Sequence, residues 1–174
     1  MTDYTIRRAT EDDLDAIARI NAEVFLGDRE SPETAREWVA CWLRAYPLYQ
    51  YFVAERNGEV LGYAGWQLHG GFRRAEPCFE LDQIGVAQDA QGLGIGNRLV
   101  RENMRTLVDW CIAHDNRIES HVSFVVWAYA LNFNAIDVYR REFSEGVDGM
   151  RRQFGERAEV MLRRRYPMTR PVRA

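Results

Sequence analysis

The chain has 174 residues, 47% of them apolar and 28% charged, with a formal net charge of -3. That length suits one domain with a real core. No apolar run reaches the length of a bilayer span, and the slightly negative balance gives no general attraction to nucleic acid. Cys41, Cys78 and Cys111 are odd in number and widely spaced, which excludes a disulfide framework and a zinc site and leaves buried reduced thiols as the expectation. His69, His114 and His121 show no ligand spacing, so no metal is expected. The polar start Met1-Thr2-Asp3-Tyr4 has no apolar signal region, and a cytoplasmic location is expected. All 23 basic residues are Arg, and from Arg140 onward ten Arg face five acids.

Tyr4 to Ala9 alternates and reads as a first strand. Thr10 caps a helix whose inward stripe is Leu14, Ile17, Ala18 and Val24, broken at Gly27-Asp28. Ser31-Pro32-Glu33-Thr34 opens a second helix carrying Trp38, Val39 and Trp42 and ending before Pro47. Tyr51–Glu55 and Val60–Leu68 read as a hairpin about Asn57-Gly58. Phe79–Ala87 is a long strand, 88–96 a Gly-rich turn, and Asn97–Ala113 a helix with Leu99, Val100, Leu107, Val108 and Cys111 inward. A strand over 118–127, a short helix over 132–142 and two strands over 145–154 and 158–166 complete the chain. The order β-α-α-β-β-β-α-β-α-β-β implies a mixed α/β sheet, with the strands near 80–87 and 118–127 parallel because a helix joins them.

A strand, a Gly-rich turn and a helix start form an anion site, because unpaired amides and the helix dipole both favour negative charge. A P-loop requires Lys, which this chain lacks, and the dinucleotide fingerprint requires Gly where Asn97 or Leu99 stands. Gln91-Gly92-Leu93-Gly94-Ile95-Gly96 resembles the Gln/Arg-x-x-Gly-x-Gly/Ala motif of the GNAT family of N-acetyltransferases. The likeness runs from about Ile6 to Arg163. It implies an α/β single-domain fold over 4–166 with a C-terminal tail over 167–174. Its sheet would be mostly antiparallel with a splayed parallel strand pair.

The resemblance also implies that acetyl-CoA is the acyl donor and that the amides of Gln91 to Gly96, with Asn97, hold its pyrophosphate. Ile84, Gly85 and Val86 would offer backbone groups to the pantetheine arm, as in strand addition to an open edge. Downstream, Asn132-Phe133-Asn134-Ala135-Ile136-Asp137-Val138-Tyr139 is similar to the family's Asn-x-x-Ala-Ile-x-Leu-Tyr helix. Helical geometry puts Asn132, Ala135, Ile136 and Tyr139 on one face. In the family this Asn contacts the cofactor arm and this Tyr protonates the leaving thiolate. The family's Gly-Phe after the Tyr is here Arg140-Arg141-Glu142-Phe143, without the Gly.

For the base, Glu80 lies eleven residues before Gln91, a spacing that resembles the family's histone-modifying members. Strand alternation puts Glu80, Asp82, Ile84 and Val86 on one face, so Asp82 competes with it, as does a water relay. The acceptor side is expected from Phe25, Asp28, Glu30, Trp38, Trp42 and Tyr46, whose acids and rings suit a cationic amine. The expected reaction is acetylation of a small-molecule primary amine. The alternatives are a protein or peptide amine, or a non-catalytic coenzyme A-binding module. A homodimer through the C-terminal strands is compatible with this layout.

Overall fold

The structure is a computed structural model that describes residues 3–25, 31–69, 76–114, 121–151 and 158–168. Its elements are β1 (Thr5–Arg8), α1 (Leu14–Phe25), α2 (Pro32–Arg44), β2 (Tyr49–Arg56), β3 (Glu59–His69), β4 (Cys78–Val86), α3 (Ile95–His114), β5 (His121–Tyr129), α4 (Phe133–Glu142), β6 (Val147–Arg151) and β7 (Glu159–Pro167). The strands form one mixed sheet in the order β1-β2-β3-β4-β5-β7-β6, so the expected α/β class and element order hold. The breaker Gly27-Asp28 and the ends of two expected strands, 118–120 and 152–154, lie outside the described residues. By contacts the chain divides into two compact units, Met1–Gln67 with Asp82–Glu102, and Leu68–Leu81 with Asn103–Ala174.

In the first unit β1, β2 and β3 pair antiparallel, and Asn57 and Gly58 turn the hairpin with φ of 54° and 83°. The register shifts between Ala54 and Glu55, where one extra residue enters β3. Thr10 precedes a short 3-10 turn, Glu11–Asp13, that leads into α1. Asp13 is buried, and its carboxylate accepts from both Arg7 Nη atoms at 2.7 and 2.8 Å and from the Thr10 amide at 2.8 Å. Arg7 Nε reaches Glu55 Oε2 at 2.6 Å, so one guanidinium ties β1 to β2 and to the start of α1. α1 buries Ile17, Ala18, Ile20 and Asn21, whereas Val24, expected inward, is exposed in the last turn. Ser31 caps α2 by accepting from the Thr34 amide at 3.2 Å.

In the second unit β4 pairs in parallel with β5, Cys78–Leu81 against Ser123–Val126, as the connecting helix required. β5 pairs antiparallel with β7 from His121↔Pro167 to Tyr129↔Glu159, and β6 covers β7. Phe79 stacks on Phe124 at 5.8 Å, Trp110 meets Phe79 edge-on, and Leu107 and Cys111 are buried. α4 buries Ile136, its C-cap Phe143 is buried as well, and Arg164 Nη1 donates to the Glu142 carbonyl at 2.8 Å. The expected buried thiols reduce to Cys111, since Cys78 is half-buried and Cys41 is exposed on α2.

Burial alone would raise the Asp13 carboxyl, but the hydrogen bonds from Arg7 and Thr10 outweigh it and hold it below its ordinary value near 3.8. A depressed folded-state value stabilises the fold above the ordinary carboxylate range, and that contribution disappears as pH falls from about 4. Asp13→Ala is therefore expected to cost about 2 kcal/mol at pH 7. The difference from wild type should shrink on acidification below pH ~4, as read by urea denaturation at both pH values.

Candidate functional site

After β4, the Ala87 amide donates to Leu61 O at 2.9 Å, and Gln88–Ala90 makes a single 3-10 turn. Gln91 Nε2 reaches back to Val86 O at 3.3 Å. Gly92 and Gly94 follow with φ of 81° and 74°, and a Cβ at either would meet nothing within 4 Å. These two glycines answer to their left-handed dihedrals rather than to packing. α3 then begins at Ile95, two residues earlier than expected, so Gly96 and Asn97 stand in its first turn. Ile95 is buried and packs where Gly62 leaves room, so its side chain is committed to the core and only its amide is available. Gln91 to Gly94 are exposed in front of a twenty-residue helix. Its first amides have no acceptor within the helix, and no side chain from the glycines fills the approach. The arrangement fits a diphosphate.

β4 carries a departure from the expected alternation. Tyr49 Oη donates to Asp82 Oδ2 at 2.8 Å, and Tyr51 Oη donates to Gln83 Oε1 at 3.2 Å. Tyr49 and Tyr51 are two apart on β2 and share a face, so the adjacent residues Asp82 and Gln83 turn to the same side. Gln83 also accepts from Asn21 Nδ2 of α1 at 3.3 Å, and Gly85 sits beneath Tyr63 and Ile20. Ile84 and Val86 point the other way, each 3.9 Å from where a Gly96 Cβ would stand. Asp82 is therefore not on the face of Ile84 and Val86, which corrects the alternation expected from sequence. The irregularity is a bulge.

Around it lies an aromatic series. Trp42 packs on Tyr49 with centroids 4.5 Å apart, Tyr49 on Tyr51 at 4.9 Å and Tyr51 on Tyr63 at 6.0 Å. A Cβ on Gly65 would overlap Tyr49 Oη and stand 2.8 Å from its Cε1, so Tyr49 crosses β3 only because residue 65 is Gly. Asn21 Nδ2 donates to Tyr63 Oη at 2.7 Å. Burial pushes all three phenols well above the ordinary tyrosine value, so each keeps its proton. Asp82 itself is exposed.

In the second unit Glu80 Oε2 lies 2.8 Å from His69 Nε2. In register, Val125 stands beside Glu80 and Arg163 beside Val125. Asn132 precedes α4 as its cap, with Oδ1 accepting from the Ala135 amide at 3.2 Å. The helix thus starts one residue later than expected, with Asn132 as its cap instead of its first residue. Tyr139 is half-buried and meets Phe143 edge-on at 6.1 Å. Its hydroxyl has no partner among the described residues, and burial pushes it up to about 12, so it holds its proton at neutral pH. The helix runs through Glu142 without the family's Gly. Chain reversal is deferred to Gly146, which takes φ of 78°.

The expected acceptor residues divide. Phe25, Trp38 and Tyr46 are exposed, while Trp42 is half-buried against Tyr49. Arg8 already lies over the Tyr46 ring at 5.0 Å. Trp38 and Trp42 line a groove of about 480 Å³ with Thr34, Glu37, Cys41 and Ala45. Asp28 and Glu30 lie outside the described residues. Sequence reading missed Tyr49, His69, Asn21 and Gln83. Among the described residues no His, Cys, Asp and Glu cluster is arranged to hold a metal, and no helix is long and apolar enough to cross a membrane.

A family model described as "Acetyltransferase (GNAT) family" matches residues 14–143. The chain is 30% identical over 158 residues to the N-alpha-acetyltransferase RimI of Mycobacterium tuberculosis, covering 87% of this chain and 94% of that protein. It is 28% identical over 156 residues to an N-alpha-acetyltransferase of Sulfurisphaera tokodaii, covering 84% of this chain and 89% of the other. Among solved structures, the ribosomal-protein-alanine N-acetyltransferase of Brucella melitensis superposes with a TM-score of 0.63 at 25% identity, covering 92% of this chain and 98% of that one.

Gly65→Ala should cost about 1–3 kcal/mol by forcing Tyr49 off its path across β3. Gly149→Ala in β6, where the nearest atom is an ordinary 3.7 Å away, serves as the matched control and should change stability little. Thermal unfolding of the two variants checks the pair.

Proposed function

Because the chain belongs to the GNAT family of acetyltransferases, whose acyl donor is acetyl-CoA, we propose that it acetylates the α-amine of a protein or peptide N-terminus. The observation that carries the donor half is the exposed Gly92–Gly94 approach to the first turn of α3. Its amides and the helix dipole would take the pyrophosphate. Ile84 to Val86 on β4 are offered for the pantetheine arm, Asn97 in the first turn of α3 for the pyrophosphate, and Asn132 and Ala135 at the start of α4 for the cofactor arm. Support for the acceptor half comes from the relatives named N-alpha-acetyltransferases, which match over most of their own length. The sequence alone favoured a small-molecule amine, and such amines are the competing arm of the test.

The reaction proceeds by direct attack. An acceptor ammonium gives one proton to a β4 carboxylate, and the free nitrogen attacks the thioester carbonyl. The C–N bond forms and the C–S bond breaks. The sulfur leaves as thiolate and takes the Tyr139 phenol proton, and the second proton on nitrogen restores the phenol. The net products are the amide, free thiol and one proton. Tyr139 suits the acid step because burial keeps its proton in place at neutral pH.

Free-thiol release from acetyl-CoA should be faster with alanine-initiated tetrapeptides than with polyamines, amino acids or aminoglycosides. Preference for a small amine over every peptide would overturn the acceptor assignment. Tyr139→Phe should lower kcat about 100-fold while leaving acetyl-CoA affinity within a factor of two. Gly94→Ala should weaken acetyl-CoA binding about tenfold, because a side chain strains its left-handed backbone by roughly 1–2 kcal/mol. Calorimetric titration with acetyl-CoA checks both affinities.

A further inference from the structure

Two carboxylates on β4, Glu80 and Asp82, compete for the role of base, and their surroundings separate them. Glu80 holds its Oε2 against His69 at 2.8 Å, and its side chain is only 18% exposed. Asp82 is exposed and has one hydrogen bond among the described residues, from Tyr49 Oη to Oδ2. Its second oxygen, Oδ1, has no partner there. Tyr49 is buried, its ring packed against Trp42 and Tyr51 with centroids 4.5 and 4.9 Å away, and it reaches Asp82 by passing over Gly65.

We propose that Asp82 is the carboxylate that takes the acceptor's ammonium proton, and that Tyr49 is its positioning residue. Tyr49 holds Oδ2 and so aims Oδ1 outward. The proposal rests on the acetyl-transfer reading above for its chemistry and on the Tyr49–Gly65–Asp82 geometry for its residues. The carboxylate of a short side chain on a strand rotates freely about its terminal bond unless something fixes it. A buried phenol donating from a rigid ring fixes it, and the bulge supplies the aim by turning Asp82 to the tyrosine face. Among the described residues, the ionisable groups that interact with Asp82 include the phenols of Tyr49 and Tyr51 on β2 and Tyr63 on β3, all protonated and neutral, and Glu80 lies two residues back on β4. Tyr49 therefore orients the carboxylate, and none of the three phenols supplies a positive charge to compete with an incoming ammonium. The proton moves from nitrogen to Oδ1 and on to solvent, and the amine is left as the nucleophile.

A kinetic double-mutant cycle tests this, with an alanine-initiated tetrapeptide as acceptor and acetyl-CoA saturating. Asp82→Asn should lower kcat at least 100-fold and Tyr49→Phe about tenfold, each with acetyl-CoA KM unchanged. The double variant should be no slower than Asp82→Asn alone, because Tyr49 acts only through Asp82. Independent, additive losses would mean that Tyr49 serves the fold alone. Asp82→Asn turnover within twofold of wild type, with Glu80→Gln impaired, would pass the base role to Glu80. A second measurement needs no acceptor: a slowly exchanging Tyr49 hydroxyl proton in the 1H NMR spectrum, lost in Tyr49→Phe and in Asp82→Ala. Its absence from the wild type overturns the positioning role whatever the substrate. If that proton is present but no amine is acetylated, the positioning contact stands, and both the base role and the acetyl-transfer reading fail.

Discussion

Neighbouring residues of a strand point to opposite faces, and β4 breaks this rule where Asp82 and Gln83 both meet tyrosines of β2. The place of Asp82 on the tyrosine face follows from that one irregularity. Upstream of it, β4 is registered in parallel with β5 over Cys78–Leu81. Downstream of it, Ile84 and Val86 pack towards α3, while Gln83 and Gly85 face α1 and the tyrosines. A regular strand would have sent Asp82 and Val86 to the same side and buried a carboxylate with an aliphatic row. The bulge lets one short segment brace the helix behind the Gly-rich turn and also present an acid on the opposite face.

The tyrosines that fix this arrangement depend on missing side chains. Gly65 clears a path for Tyr49, Gly85 makes room for Tyr63, and Gly62 seats Ile95 at the head of α3. Glycine inside a strand weakens it, so three in β3 and β4 need a reason, and close approach supplies one. Tertiary packing therefore links the aromatic series to the start of the helix that follows the Gly-rich turn.

The turn at Gln91 to Gly96, the element order and the parallel pair were legible in the sequence, because glycine spacing, capping residues and periodicity are local signals. Tyr49 was not. Counting outward from Asn57-Gly58 as a regular two-residue hairpin would set Tyr51 opposite Ala64. The shift at Ala54/Glu55 instead sets it opposite Gly65. One extra residue reverses which side chains share a face, and no propensity marks it. The same limit explains Asp82: alternation extends a strand pattern indefinitely, while bulges arise from pairing with partners remote in sequence. Asn132 was read as helical because its motif continues into α4, yet its short amide is better used on the orphan amide of Ala135. His69 was passed over because no metal-ligand spacing surrounds it, whereas its partner Glu80 comes from the next strand.

The proposed activity places an acetyl group on an N-terminal nitrogen. The most direct measurement is tandem mass spectrometry of an alanine-initiated peptide carrying an internal lysine, after incubation with the protein and acetyl-CoA. One added acetyl group is expected, located on the α-nitrogen of residue one. An unmodified peptide, or an acetyl group on the lysine side chain with the α-amine free, would contradict it.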